Sequence, residues 1–213
     1  MFYTLSLLLA LFILPAKHLQ AMTLSDKILA SHEFSLNIRY PIASVNQVFK
    51  DNILLTIAYT THAKINPKSI DWHKLELPAT YSFSLQPGQT FAFHSDVLPQ
   101  YSGKVTKTSN SNFSLSEGFK SDGYLPGDGV CHLASLMYWV ASDAGLQTLA
   151  PTRHNFAPIP QIPPLYGTAI YDTGTKGSYT SEVQNLYITN NKNKTVTFDF
   201  IYNGQNLTVD AVE

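Results

Sequence analysis

One thiol and a small set of imidazoles carry most of the chemistry available to this chain. Cys131 is the single cysteine among 213 residues, so it can neither close an intramolecular disulfide nor join a cysteine-rich zinc site. It follows Gly127-Asp128-Gly129, and beyond it Ala134, Met137, Tyr138, Val140, Ala141 and Ala144 recur at helical spacing until Gly145 closes the run. Cys131 is therefore expected in the first turn of a helix. There the unpaired backbone N–H groups and the positive end of the macrodipole favour thiolate and lower the thiol pKa. Gly127 and Gly129 permit backbone conformations in which neighbouring amides converge on a developing oxyanion.

A nucleophile needs a base. His132 is adjacent, but successive helical side chains diverge by about 100°, so the better partner is His154, brought back on a proline-rich loop to form a Cys-His pair. Asp172 is the first choice to orient the imidazole, with Asn155 and Asp128 as alternatives. Such a set would run a thiol hydrolase or an acyl transferase. A competing reading has no catalysis: Gly127 to His132, with Tyr124 and Tyr166, line a recognition groove. A third makes Cys131 a small buried hydrophobe. His62, His73 and His94 fall in no ligand spacing, so no metal site is expected. The chain also lacks a P-loop, a dinucleotide fingerprint, a Gly-x-Ser-x-Gly elbow and a zincin motif, which leaves no cofactor to expect and little support for phosphoryl or hydride chemistry.

The elements that must position these groups are uneven in clarity. Val196, Phe198, Phe200 and Tyr202 alternate with more polar neighbours, Asn203-Gly204 follows, and Leu207, Val209 and Ala211 alternate again. This predicts a β-hairpin with a two-residue turn, and Leu186-Tyr187-Ile188 before the turn 190–193 should add a third antiparallel strand. Tyr81 to Leu85 and Thr90 to Phe93 read as short strands. Val48, Phe49, Ile53, Leu54, Ile57 and Ala58 are spaced as one helix face. The Ser, Thr, Asn and Lys-rich stretch 100–123 reads as an exposed excursion. The prolines from Pro151 to Pro164 forbid regular structure around Arg153 and His154. The fold class expected is α+β, in one domain with a central helix starting near Cys131 and a C-terminal antiparallel hairpin unit.

Charged residues make up only 14% of the chain and the net charge is −1, so there is no electrostatic drive toward nucleic acid. Leu5 to Leu14 form an apolar run followed by Ala21. It is shorter than the roughly 20 residues of a membrane span and matches a signal-peptide core or an N-terminal membrane tether over residues 1–21. Export to the cell envelope or extracytoplasmic space is expected, ahead of a cytoplasmic location.

The ordered blocks at the chain's centre resemble the VanW-like family. They are Gly127-Asp128-Gly129-Val130-Cys131-His132 with the helix after it, Gly145-Leu146, and Arg153-His154. Leu85-Gln86-Pro87-Gly88-Gln89-Thr90-Phe91-Ala92-Phe93 is similar to an upstream family segment, and Asn185-Leu186-Tyr187-Ile188-Thr189-Asn190-Asn191 to a downstream strand. The resemblance covers about residues 80–210, which divides the chain into residues 1–21, an N-terminal α/β extension over 22–79, and a VanW-like domain over 80–213. It implies a bacterial cell-envelope context, a name linked to glycopeptide resistance, and a peptidoglycan or cell-wall peptide as partner, with no settled reaction. Asp128, Gly129, His132, Arg153 and Tyr166 are the ligand-binding candidates beside the catalytic candidates Cys131, His154 and Asp172. The departures are His132 for the family's Gln, Asp128 for its middle Gly, Thr152 for its Glu, and Thr168 for an Asp.

Overall fold

The computed structural model describes residues 27–61, 65–123 and 127–213. The expected segment 1–21 lies outside them, as does Tyr124. In chain order the elements are β1 (Ile28–Ser35), α1 (Ala43–Thr61), α2 (Trp72–Leu75), β2 (Ala79–Leu85), β3 (Thr90–Ala92), β4 (Val105–Lys107), α3 (Val130–Asp143), β5 (Gln147–Leu149), α4 (Tyr179–Val183), β6 (Tyr187–Thr189), β7 (Val196–Tyr202) and β8 (Asn206–Val212). The class is α+β, as the sequence predicts.

Two four-stranded sheets carry the fold. The first runs β1-β8-β7-β2, every pair antiparallel, and the second runs β4-β3-β6-β5 with β3 and β4 parallel. Alternation decides the first sheet: Val196, Phe198, Phe200 and Tyr202 are all buried, as are Leu207, Val209 and Ala211. Rings join the sheets, since Phe83 of β2 lies 5.1 Å from Phe91 of β3 and 5.2 Å from Phe198 of β7. Offset aromatic contacts of this kind add to the area they bury.

The hairpin is present, but its turn sits one residue later than expected. The Asn203 amide donates to the Asn206 carbonyl at 3.1 Å, which makes Gly204-Gln205 the loop. Gly204 has φ +98°, the positive value that a Gly-first two-residue loop requires. The Asn203 side chain is spent on accepting from the Gln205 and Asn206 amides.

Two other expectations are corrected. Tyr187-Ile188 does not continue the hairpin; β6 pairs with β3 and β5 in the second sheet. Leu186, Tyr187 and Ile188 are buried in succession, the signature of a strand covered on both faces rather than one lying half-exposed beside β7. Asn190 manages the crossing, its side-chain amide donating to the carbonyls of Leu85 and Lys194, both at 2.8 Å. The stretch 100–123 is not a solvent excursion. It contains β4, and Phe113 and Phe119 meet edge to face at 5.5 Å inside the core.

Helix α1 extends well beyond its expected face. Asp51 to Thr60 are buried without a break, and its polar groups are satisfied inside. Thr56 and Thr60 bond back to the carbonyls of Asn52 and Thr56, and the Asn52 amide donates to the carbonyls of Lys120 and Asp128 at 3.0 and 2.9 Å. Helix α3 packs against α1, β1, β5 and β8. No helix among the described residues is long and apolar enough to cross a membrane.

Candidate functional site

The start of α3 has the expected form. Gly129 is its N-cap at φ +94° and Gly127 has φ +89°. The glycine at 129 serves packing: a Cβ there would stand 2.6 Å from the Phe49 carbonyl oxygen and 2.9 Å from its Cα. Only glycine lets α1 and α3 approach this closely. Asp128 braces the approach, its carboxylate accepting from the Asp122 amide at 3.0 Å and its carbonyl from Asn52. Burial, with Asp122 nearby, holds the Asp128 carboxyl above the ordinary range.

Cys131 lies in the first turn, yet its environment opposes ionisation. The Ile170 amide donates to Sγ at 3.3 Å and Sγ donates to the Ile170 carbonyl at 3.6 Å. Removal from water pushes the thiol up to about 11, outweighing the Ile170 hydrogen bond that stabilises thiolate. The expected lowering by the helix terminus is reversed because desolvation exceeds it.

His154 is occupied elsewhere. Its Nδ1–H donates to the Ala157 carbonyl at 3.0 Å, leaving Nε2 as the ring's acceptor. Its ring packs on Phe156 at 3.9 Å and meets His132 edge to face at 6.1 Å. No hydrogen bond joins it to Cys131, and burial holds its pKa below the ordinary imidazole value. The backbone register explains the separation. Arg153 bridges Thr168, and the His154 amide donates to Gly167, so His154 and the Ile170 backbone that holds Cys131 lie at different levels of the same strand-like pairing. Asp172 accepts from the Gly174 amide at 2.8 Å. It lines a cavity of about 270 Å³ with Gly127, Val130, Phe113 and Ile170. Each of the three catalytic candidates is thus bonded to nearby backbone, and none to another.

The ligand-binding candidates divide into two groups. Arg153 is exposed, while Tyr166 donates to Asp143 at 3.1 Å and stacks on Trp139 at 5.8 Å. Trp139 in turn stacks on His32 at 3.6 Å, and His32 bonds Asp143 at 2.7 Å. His132, by contrast, is buried at 6% exposure, and its Nδ1 has no hydrogen-bond partner. Burial, followed by the charges of Arg39 and His154, pushes it down to about 3. His132 packs against Phe49 at 5.0 Å.

Sequence reasoning missed two groups. Arg39 is 2% exposed and holds the proline-rich loop: its side chain donates to the Ser35 carbonyl at 2.7 Å, the Pro160 carbonyl at 2.9 Å and Gln161 Oε1 at 2.8 Å. Nothing in Asn37-Ile38-Arg39-Tyr40 marks it as buried. Asn185, fully buried, accepts from the amides of Phe93, His94 and Leu186 and donates to the carbonyls of His94 and Asp96. Its place beside the strand of the downstream block was its only signal.

The proline-rich loop borders a second cavity of about 240 Å³, lined by His154, Phe156, Pro158, Ile159, Ile162 and Gly167 among others. Its walls are mostly apolar, with an imidazole at one side. Among the described residues no group of three or more His, Cys, Asp or Glu side chains could hold a metal ion. The arrangement suits recognition of a small ligand better than proton transfer from the thiol.

No curated protein and no solved structure matches this chain. The family model for VanW like protein matches residues 77–212. That span begins just before β2, takes in the helix of Cys131, the proline-rich loop and the closing hairpin, and places the chain in the VanW-like family.

Proposed function

We propose that this chain is a noncatalytic recognition module for peptidoglycan-like peptides of the bacterial cell envelope. The observation that carries the choice over a thiol hydrolase or acyl transferase is the double hydrogen bond between Cys131 and the Ile170 backbone, with the thiol held above its ordinary pKa. A thiol is nucleophilic as thiolate, and this one is stabilised as thiol. The cavity beside His154 supplies the concave, mostly apolar setting in which small ligands are held. Envelope location, a cell-wall peptide partner and export through residues 1–21 belong to the same proposal, and membership of the VanW-like family is what supports them.

The test is binding of soluble peptidoglycan peptide fragments by calorimetry, together with product analysis by mass spectrometry. Saturable binding without turnover, unchanged in Cys131→Ser and weakened in His154→Ala, supports recognition. Turnover that vanishes in both Cys131→Ala and His154→Ala would overturn it in favour of the Cys-His enzyme. Export is checked by intact mass: full-length chain recovered from the cytosol overturns that part.

A further inference from the structure

Two carboxylates face each other across the middle of the first sheet. Asp199 of β7 stands directly opposite Asp210 of β8, and the row continues outward to Ser82 of β2 and Ser31 of β1. Alternation puts all four on one side of the sheet. Leu207, Val209 and Ala211 turn into the core, as do Phe198 and Phe200, so Asp210 and Asp199 turn away from it. Opposed residues of an antiparallel pair have Cβ atoms about 4.5–5.5 Å apart, and like charges at that spacing are destabilising. Nothing basic offsets them. The four strands contain no Lys or Arg, and their one histidine, His32, shares the core-facing side of Phe34 and bonds Asp143. None of the ion pairs among the described residues includes either aspartate.

A second observation falls on the same row. Asp210 is only 9% exposed, and its enclosed Oδ1 has no hydrogen-bond partner among the described residues, where buried polar atoms are ordinarily bonded. Asp199 is half-buried and has one contact, a hydrogen bond at 2.5 Å from the Ser82 hydroxyl to its Oδ1. The third acid on this face is already settled: Glu33 accepts from Asn206 on one oxygen and from Thr208 on the other. The unmatched charge and the unpartnered oxygen therefore coincide at Asp199 and Asp210. Two carboxylates flanked by hydroxyls form an oxygen-only donor set, which suits a hard cation and offers nothing to a soft one. Magnesium demands near-ideal octahedral geometry and gives up water reluctantly, whereas calcium accepts irregular sets of oxygens. Ser31, Thr80, Ser82, Ser84 and Ile201 on this side are exposed, so ligands come from the sheet alone and water completes the shell. Such a site is weak and partly hydrated.

We infer that Asp199 and Asp210, flanked by Ser82 and Ser31, form a calcium site on the outer face of the first sheet. The ion gives Asp210 Oδ1 the partner it lacks and replaces repulsion between β7 and β8 by a shared attraction. Ser82 keeps its hydrogen on Asp199 Oδ1 and leaves the other carboxylate oxygen for the ion. The site stands independently of the recognition reading. His32, on the core-facing side, bonds Asp143 at the end of α3, which places the helix of Cys131 across the sheet from the pair.

The experiment titrates the full chain, first stripped with a chelator, with calcium chloride and separately with magnesium chloride, reading calorimetric heat, amide NMR shifts and melting temperature. Calcium should bind with a dissociation constant on the order of 10⁻⁴–10⁻³ M and shift the amides of Ser31, Ser82, Asp199 and Asp210. At about 10 mM it should raise the melting temperature by roughly 3–10 °C. Asp199→Asn and Asp210→Asn should each abolish this response, and in chelator both should melt no lower than wild type, because the opposed charges are gone. Glu33→Gln, on the same face, should keep the calcium response. Absence of calcium heat, or a response that survives in both Asn variants, overturns the site. Asn variants that melt below wild type in chelator overturn the repulsion on which it rests. Amide shifts that leave the row unmoved overturn its location, and magnesium bound as tightly as calcium overturns the choice of ion. A melting temperature that rises on mild acidification of wild type but not of Asp210→Asn, with calcium ignored, overturns the site in favour of a shared proton.

Discussion

Cys131 and Ile170 hold each other through both polar groups of one peptide backbone, the amide donating to sulfur at 3.3 Å and the carbonyl accepting from it at 3.6 Å. The two contacts tie the first turn of α3 to the segment after the proline-rich loop. Two residues later the Asp172 carboxylate accepts from the Gly174 amide at 2.8 Å.

The first expectation concerns thiol reactivity. Alkylation of the native protein should show no thiolate inflection near the reference value of about 8.5, because burial pushes the thiol up to about 11. His154→Ala should leave the profile unchanged, since His154 bonds Ala157 and not the sulfur. Stopped alkylation followed by intact mass across pH 6 to 11 reads both. An inflection well below the reference that moves with His154 would restore the coupled nucleophile.

His132 should make acid stability measurably pH-dependent. Its folded pKa is depressed to about 3 from 6.5, so the folded chain keeps the ring neutral while the unfolded chain protonates it. The stabilisation is complete above pH 6.5 and is lost as pH falls toward 3, on the order of 5 kcal/mol in total. Carboxylates also titrate in this window, so the measurement is the difference between wild type and His132→Gln in urea melts at pH 7, 5 and 3.5. The gap should change in the variant's favour as pH falls. A constant gap would mean that His132 is not held neutral.

How far these features could be read from residues alone depends on whether their cause is local. The α3 helix from its glycine cap to Gly145, and the β7–β8 alternation, follow from periods of 3.6 and 2 and from turn chemistry. The sheet to which Tyr187-Ile188 belongs does not, because a short run buried on both faces pairs equally well with several partners. Phe113 and Phe119 were hidden by polar neighbours whose hydrogen bonds close within the segment itself, as in Glu117 accepting from the amides of Asn112 and Ser114. At the site, the helix-start position of Cys131 was legible. The balance between dipole and desolvation was not, since it depends on Ile170, 39 positions away. Arg39 lies further still from Pro160 and Gln161, and no spacing rule joins them.

Gly129→Ala should be among the most damaging single changes. The new Cβ meets Phe49 backbone atoms at 2.6 and 2.9 Å, and φ +94° is strained for alanine. Backbone strain of about 1–3 kcal/mol adds to displacement of α1. Gly88→Ala is the control, at φ +79° with open space around it, and should lose only the strain. Denaturant midpoints should differ between the two. Equal losses would mean that the α1–α3 approach gives way without cost.

Asn185 tests whether the second sheet depends on one buried amide. Its Oδ1 accepts from three amides, Phe93 at 2.8 Å, His94 at 3.2 Å and Leu186 at 2.9 Å, and its Nδ2 donates to the Asp96 carbonyl at 2.9 Å. Asn185→Ala takes this partner from the His94 and Leu186 amides and the Asp96 carbonyl, each such group costing about 1–3 kcal/mol, while the Phe93 amide keeps its bond to the Leu186 carbonyl at 2.9 Å. Water admitted to the space could restore some of them, so a loss of about 3 kcal/mol or more is expected in chemical denaturation. Asn185→Asp keeps the triple acceptor and sacrifices only the donor side, but it buries a carboxyl whose ionised form lies against the Asp96 carbonyl. Its deficit should therefore shrink when the carboxyl is protonated. Melts of both variants at pH 7 and pH 5 separate the two contributions. A small loss in the alanine variant would show that the β3–β6 pairing holds this junction without the side chain, and hydrogen exchange at the Phe93 amide would then remain slow.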